Sequence, residues 1–224
     1  MDDAFMHSPL FSALDAEGAA ALRASLTATE YAKGSVLFHE GEPGDHMYVI
    51  VEGKVKLGQT SNDGRESLLG VLGPGEMFGE LSLFDPGMRT STATALTDAT
   101  VLGLGHDQLK PWLSGRPEVA AALLMALARR LRRTNEAMAD LVFSDVPGRV
   151  AKALMDLGEK FGAVTPDGLM VTHDMTQEEL AQLVGASRET VNKSLADFAQ
   201  RGWLRIEARS VVLLDVERLT RRAR

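Results

Sequence analysis

The chain has 224 residues, 45% of them hydrophobic, enough for a sizeable core and too many for wholesale disorder. It contains no cysteine, which excludes disulfides, thiolate zinc sites, thiol catalysis and cysteine-held iron–sulfur clusters and fits a reducing cytoplasm. The formal net charge of −7 argues against nucleic acid, yet it is uneven: residues 1–144 carry 12 basic and 19 acidic side chains, while residues 188–224 carry 9 and 5, a local net of +4. The local field decides phosphate contact.

The N-terminal peptide MDDAFMHSPLF is acidic and lacks a long apolar core, so no signal peptide is expected. No apolar run reaches the roughly 18 residues that span a bilayer, so a cytoplasmic protein without membrane partners is expected. Residues 8–27 predict one amphipathic helix, with Leu14, Leu22 and Leu26 among its apolar positions. From residue 35 to 104 the pattern changes. Short apolar stretches (36–38, 47–51, 55–57, 68–72 and 100–104) are split by the glycine-bearing turns EGEPGD, EGK, NDGRE and GPGE. That predicts many short strands with tight turns, a barrel or roll. Asp63-Gly64 is a strong hairpin signal, because glycine accepts the positive φ that such turns need.

Over residues 116–143 the period becomes helical. Ala120, Leu124, Leu127, Leu131, Thr134, Met138 and Leu141 fall at spacings of 4, 3, 4, 3, 4 and 3, an a/d seam over about three heptads. A helix this long is about 42 Å from end to end. Its seam predicts pairing with a second copy; packing on its own domain is the other reading. FSDVPGR then breaks the helix, with Asp145 placed as an N-cap and Pro147 in a new first turn, so residues 145–148 are expected to form a hinge and domain boundary. The expected domains are 1–115, 116–144 and 145–224. A helix to Phe161 and a GAVTPDG loop follow.

Thr176 and Glu179 then match a capping box. That helix runs to Val184, Gly185 turns the chain, Ser187 caps another helix to Gln200, and Gly202 ends it. Residues 203–206 and 211–214 read as two strands around EARS. Helix, glycine turn, helix and hairpin make a winged helix-turn-helix. Leu180, Val184, Val191 and Leu195 join the helices, and Arg188, Glu189, Asn192 and Lys193 lie in the first turns of the second. Arginine can reach guanine O6 and N7, and a carboxylate can accept from cytosine N4. Arg205 and Arg209 of the hairpin would lie near phosphate. The alternative is a helical hairpin with a solvated charged face.

MFGELSLFDPGMRTSTATA, residues 77–95, sets a lone carboxylate, Glu80, and a lone guanidinium, Arg89, among apolar or small residues. Gly73, Gly75 and Gly79 permit close turns. GELSLF can form one helical turn with free N–H groups, Arg89 can clamp a phosphate through two bonds, and Thr90 and Ser91 can add donors. Glu80 suits a sugar hydroxyl rather than a phosphate. The pair therefore suits a small phosphorylated sugar; from spacing alone, a Glu80–Arg89 ion pair at a strand end fits equally well. Thr134, polar within the seam, and Asn135 beside it either fix register or meet a ligand's base. The five histidines, His7, His39, His46, His106 and His173, show no metal-ligand spacing, and no Ser/His/Asp set or carboxylate dyad is present. Neither a metal nor an enzyme is expected. RRLRR at 129–133 reads as the solvated flank of the long helix, although Arg130 can approach a ligand phosphate. The terminal RRAR reads as surface charge.

Together FGELSLFDPGMRTSTA, RRLRRTNEAMADL and TQEELAQLVGASRETVNKSL resemble, over nearly the whole chain, the phosphate-binding cassette, central helix and DNA-reading motif of the Crp–Fnr superfamily, and within it the actinobacterial cyclic AMP receptor proteins. The resemblance implies an α+β chain: an N-terminal jelly-roll-like cyclic-nucleotide-binding β-roll, a long central dimerisation helix and a C-terminal winged helix-turn-helix. It implies cyclic AMP as allosteric ligand without a metal, double-stranded DNA, a second copy and RNA polymerase as partners, and a site related to TGTGA-N6-TCACA. Carried over by residue, Gly79 and Leu81 through their backbone and Ser82, Arg89, Thr90 and Ser91 through their side chains would line the cyclic phosphate. Glu80 would take the ribose 2′-hydroxyl, Thr134 and the partner's Asn135 would meet adenine, and Leu57 and Leu69 would wall the pocket. Arg188, Glu189 and Lys193 would read base edges, with Thr176, Ser187 and Asn192 in the same interface. Leu124, Leu127, Leu131, Met138 and Leu141 would form the dimer seam. Asn135 stands where the enteric member has serine, and Lys193 where it has arginine, which changes a planar fork into a point donor.

Overall fold

The computed structural model describes residues 8–85 and 87–223; residues 1–7 of the N-terminal peptide, with His7, Pro86 of the FGELSLFDPGMRTSTA stretch and Arg224 of the terminal RRAR lie outside the described residues. The chain divides into two compact units, Met1–Ser61 with Leu69–Arg133, and Asn62–Leu68 with Thr134–Arg224.

In the first unit the single helix expected over 8–27 is two: α1 (Pro9–Ser12) and α2 (Ala16–Ser25). Asp15 causes the break, because its carboxylate accepts the Gly18 N–H at 2.8 Å and starts a new helix. There follow β1 (Thr27–Tyr31), β2 (Val36–Phe38), β3 (His46–Glu52), β4 (Val55–Thr60), β5 (Glu66–Leu72), β6 (Met77–Phe78), α3 (Leu81–Phe84), β7 (Thr92–Ala95), β8 (Ala99–Gly105), α4 (His106–Gly115) and α5 (Pro117–Phe143). All five expected strands form. The additional β1, β6 and β7 escape an apolar-run search, since β1 is TATEY, β7 is TATA and β6 has two residues. Helix α4 was hidden by Pro111 within it.

The strands form two antiparallel four-stranded sheets, ordered β1-β8-β3-β6 and β2-β7-β4-β5. Strand β3 shows how one strand serves two cores. Met47 and Val49 pack against Leu10, Phe11, Leu22, Leu109, Val119 and Leu123 of the helices. Tyr48 and Ile50 turn the other way, among Phe38, Val55, Leu57, Phe78, Ala93 and Val101 from both sheets. Alternation thus gives the roll an inner core and a helix-covered outer face. The first turns of α5 join the latter through Val119, Ala122 and Leu123.

The division between the units falls within α5, at residues 133 and 134. Beyond its first turns the helix carries an uncovered apolar stripe: Leu124, Leu131, Met138 and Leu141 are exposed and Leu127 is half-buried. Among the described residues no helix is long and apolar enough to cross a membrane.

The second unit contains α6 (Val146–Phe161), β9 (Gly162–Thr165), β10 (Gly168–Thr172), α7 (Gln177–Val184), α8 (Arg188–Gln200), β11 (Leu204–Ile206), β12 (Ser210–Leu213) and α9 (Val216–Arg222). Its sheet is antiparallel, ordered β11-β12-β10-β9. The expected GAVTPDG loop is therefore a hairpin, β9 to β10, in which Gly168 at φ 146° pairs with Thr165. The tail is not merely surface charge. Asp215 caps α9 by accepting the Arg218 N–H at 3.0 Å, and Arg222 near its end holds Asp145 at 2.6 Å. The core comes from Val150, Leu154 and Leu157 of α6, Leu180 and Val184 of α7, Val191, Leu195 and Phe198 of α8, and Val211–Leu213 of the sheet.

Candidate nucleotide pocket and nucleic-acid interface

In the first unit a small cavity is lined by Phe38, Leu57, Gly79, Glu80, Leu81, Ser82, Arg89, Thr90, Ser91 and Arg130. Its polar side chains are unusually deep: Glu80 is 4% exposed, Arg89 5%, Ser91 6% and Ser82 7%. Gly79 at φ 76° makes the turn from β6 into α3, and a Cβ there would stand 2.7 Å from Arg89 Nη1. Only glycine fits both demands. Gly44 is constrained by space alone, since a Cβ on it would stand 2.4 Å from Ser82 Oγ and 3.0 Å from Arg89 Nε.

Glu80 and Arg89 do not pair with each other. Arg89 is fixed at its backbone, donating N–H to Glu42 O at 2.7 Å and accepting from Gly41 N at 2.9 Å. Its Nη1 donates to Gly79 O at 2.9 Å, and its guanidinium lies 4.1 Å from the Phe38 ring centre and 5.8 Å from that of Tyr48. Burial pushes the Tyr48 phenol pKa up, so this neighbour stays neutral. Glu80 Oε1 accepts from Arg130 Nη1 at 2.6 Å, while its buried Oε2 has no hydrogen-bond partner. The lining residues include two guanidinium groups and one carboxylate. An acceptor oxygen without a donor lies in the same wall.

Of the residues expected here, the cavity gathers Leu57, Gly79, Glu80, Leu81, Ser82, Arg89, Thr90 and Ser91. It does not gather Leu69, which is 53% exposed on β5 and so does not wall the described cavity. Thr134 and Asn135 are exposed on α5 and are not among its lining residues. Phe38, Gly44 and the deep position of Arg130 were not read from the sequence. A search for aromatics beside the lone arginine would have suggested Phe38. Gly44 belongs to EPGD, which carries a turn signal but no ligand signal. Arg130 is not simply part of a solvated flank, because it reaches into the cavity. His173 is buried, accepting the Met175 N–H on Nδ1 at 3.1 Å, and among the described residues no group of side chains has metal-binding geometry.

The second unit presents α8. Thr176 Oγ1 accepts the Glu179 N–H at 3.1 Å and Glu179 Oε2 accepts the Thr176 N–H at 2.7 Å, closing the capping box at the start of α7. Gly185, left-handed at φ 69°, turns the chain, and Ser187 Oγ accepts the Thr190 N–H at 3.2 Å to start α8. Thr176, Ser187, Arg188, Glu189 and Lys193 are exposed and Asn192 is half-buried. Val191 and Leu195 hold the opposite face in the core. The hairpin arginines have protein partners: Arg205 is 3.1 Å from Asp167 and 3.5 Å from Glu207, and Arg209 donates to Asp174 O at 3.0 Å.

Comparison with known proteins follows the same division. Residues 28–115 match the cyclic nucleotide-binding domain family, and residues 148–222 match the Crp-like helix-turn-helix domain family. A CRP-like cAMP-activated global transcriptional regulator of Mycobacterium tuberculosis is 54% identical over 224 residues, covering 100% of both chains. The chain belongs to the Crp–Fnr superfamily. The Cyclic AMP receptor protein of Thermus thermophilus is 36% identical over 93% of this chain and 95% of its own. Among solved structures, the c-di-GMP responsive global regulator CLP of Xanthomonas campestris matches at TM-score 0.77 and 27% identity, over 89% of this chain and 99% of its own. As a superfamily member the chain is a DNA-binding transcriptional regulator with a cyclic-nucleotide-binding domain, and not an enzyme.

Proposed function

We propose that the chain is a cytoplasmic, cyclic AMP-responsive regulator that acts as a homodimer on a pseudo-palindromic site related to TGTGA-N6-TCACA and contacts RNA polymerase. The observation that carries the ligand reading is the separation of Glu80 from Arg89. A cyclic phosphodiester carries one negative charge, which the buried Arg89 guanidinium can take, and a ribose 2′-hydroxyl supplies the donor that Glu80 Oε2 lacks. Arg89 would clamp the phosphate, with Ser82, Thr90, Ser91 and the backbone at Gly79 and Leu81 beside it and Leu57 against the sugar. Thr134 and the partner's Asn135 would meet adenine across the dimer axis.

The exposed stripe of Leu124, Leu131, Met138 and Leu141, with Leu127, supports the dimer, because an uncovered seam on a 27-residue helix favours a second copy. The domains would be the roll (1–115), the dimerisation helix (116–144) and the reading head (145–224). Two α8 helices would enter major grooves about 34 Å apart, with Arg188, Glu189 and Lys193 at base edges and Thr176, Ser187 and Asn192 beside them. Nucleotide bridging the roll to the seam would stiffen α5 and reorient the reading heads, a coupling of about 1–3 kcal/mol.

The test is fluorescence anisotropy on a labelled duplex carrying the site, at fixed salt because phosphate contacts are steeply salt-dependent, with cyclic AMP, with cyclic di-GMP and with neither. Tightening by cyclic AMP alone supports the reading. Specific binding indifferent to cyclic AMP, or tightened by cyclic di-GMP instead, overturns the ligand assignment while leaving the DNA assignment intact. Sedimentation at the same concentration tests the dimer.

A further inference from the structure

The junction expected to be a hinge is heavily braced. Helix α5 ends at Phe143, and Arg149, one turn into α6, spreads its guanidinium over three backbone carbonyls: Nη1 donates to Ser144 O at 2.7 Å, Nε to Val184 O at 3.0 Å and Nη2 to Gly185 O at 3.2 Å. Ser144 follows the last turn of α5, and Val184 and Gly185 close α7. Each helix end leaves carbonyls without internal partners and carries the negative end of the helix dipole. One planar cation therefore satisfies two helix ends together, in a geometry that the single ammonium of lysine cannot reproduce.

The surroundings reinforce this tie. Leu141 Cδ2 lies 3.0 Å from where a Cβ on Gly185 would stand, so the glycine leaves room for the last turns of α5 beside the α7–α8 turn. Lys152 of α6 pairs with Asp140 of α5. Asp145 accepts the Gly148 N–H at 2.9 Å and holds Arg222 of α9. Of these braces, only the Arg149 guanidinium bonds both the end of the long helix and the turn that presents α8.

We propose that Arg149 is a positioning residue that fixes the α7–α8 turn to the end of the central helix, so that a movement of α5 is delivered to the DNA-reading helix as a movement of the whole pair. The inference rests on the nucleotide-responsive reading above. Arg149 touches neither the nucleotide cavity nor the exposed face of α8. Its loss would therefore leave both binding surfaces in place and weaken only their coupling.

The experiment uses the full chain with Arg149→Gln and Arg149→Lys. Cyclic AMP affinity is read by calorimetry, DNA affinity by anisotropy with and without cyclic AMP, and folding by thermal melting. Both variants should bind cyclic AMP within about twofold of wild type. In wild type, cyclic AMP should tighten DNA binding about fivefold or more; this ratio should fall towards one in Arg149→Gln and only partly recover in Arg149→Lys. If Arg149→Gln does not fold, the lysine variant, which keeps the charge, decides. A ratio unchanged from wild type overturns the proposal. Equal loss of DNA affinity with and without nucleotide also overturns it, showing a damaged reading head instead. A wild-type chain indifferent to cyclic AMP overturns the reading beneath it, and this inference with it.

Discussion

Arg130 Nη1 donates to Glu80 Oε1 at 2.6 Å, while the second oxygen of the same carboxylate is buried without a donor. The long helix thus bonds one oxygen of the deep carboxylate, and the other is buried without a partner. A group able to donate one hydrogen bond completes it, and a phosphate does not.

Glu80→Gln tests that assignment. The amide keeps the shape but removes the charge facing Arg130 and weakens the bond to a sugar hydroxyl. Cyclic AMP affinity should fall about 10-fold, the value of one hydrogen bond to a charged group. The 2′-deoxy nucleotide should bind wild type and variant within about threefold of each other, since it lacks the donor. Calorimetry with both nucleotides on both proteins makes the cycle. An equal drop for the two nucleotides would move Glu80 from ligand recognition to pocket structure.

Arg89→Leu addresses the anion. Two charge-assisted bonds worth about 1.5 kcal/mol each predict a loss of about 100-fold in cyclic AMP affinity. Folding should change by less than about 2 kcal/mol, because a leucine fits beside Phe38 and Tyr48 and relieves the cost of burying a guanidinium while leaving Gly79 O without its donor. Urea unfolding without ligand reads the second quantity. Retained nucleotide affinity would remove Arg89 from the phosphate site.

Local chemistry announced much of this architecture. The capping box at Thr176 and Glu179, the left-handed Gly185, the Ser187 cap and the long α5 each follow from neighbours within a few residues, and all are present. The single N-terminal helix failed because Asp15 can both continue a polar face and cap a new start, and only the bond to Gly18 decides. The GAVTPDG hairpin and α9 failed because their pairing and packing partners, β12 and α6, are remote in sequence. In the pocket, spacing alone could not tell an ion pair from a ligand clamp. The ion pair is replaced by contacts remote in sequence: Glu80 takes Arg130, 50 residues away, and Arg89 lies over Phe38, 51 residues away.

On the proposed DNA-reading face, Arg188 is exposed in the first turn of α8 without an ion pair among the described residues. Arg188→Ala should cost about 1–3 kcal/mol on the cognate duplex and relax preference at one base pair. Anisotropy against duplexes substituted at each half-site position reads both effects. A uniform loss over all sequences would make Arg188 a phosphate contact instead.

The braced junction sets a pH dependence. A hydrogen bond from Arg222, followed by the Gly148 N–H, holds the Asp145 carboxyl below the ordinary carboxylate range, whereas the hydrogen bond that Lys152 donates to Asp140 pushes Lys152 above the ordinary lysine value. A lowered acid stabilises the fold above its ordinary pKa of about 3.9, and that contribution is lost as pH falls through the lowered value; a raised lysine stabilises below about 10.4 and loses its contribution as pH rises through the raised value. Both contributions are therefore complete between about pH 5 and 9. Asp145 is 61% exposed, so solvent screening limits its share to less than about 1 kcal/mol. Asp145→Asn keeps an oxygen for the Gly148 N–H and loses the charge facing Arg222. The difference in urea stability between wild type and this variant should stay constant from pH 5 to about pH 8 and shrink below about pH 4, as the wild-type carboxylate protonates. A difference that persists at about pH 3 would mean that the Asp145 charge contributes nothing and that the asparagine disturbs the cap.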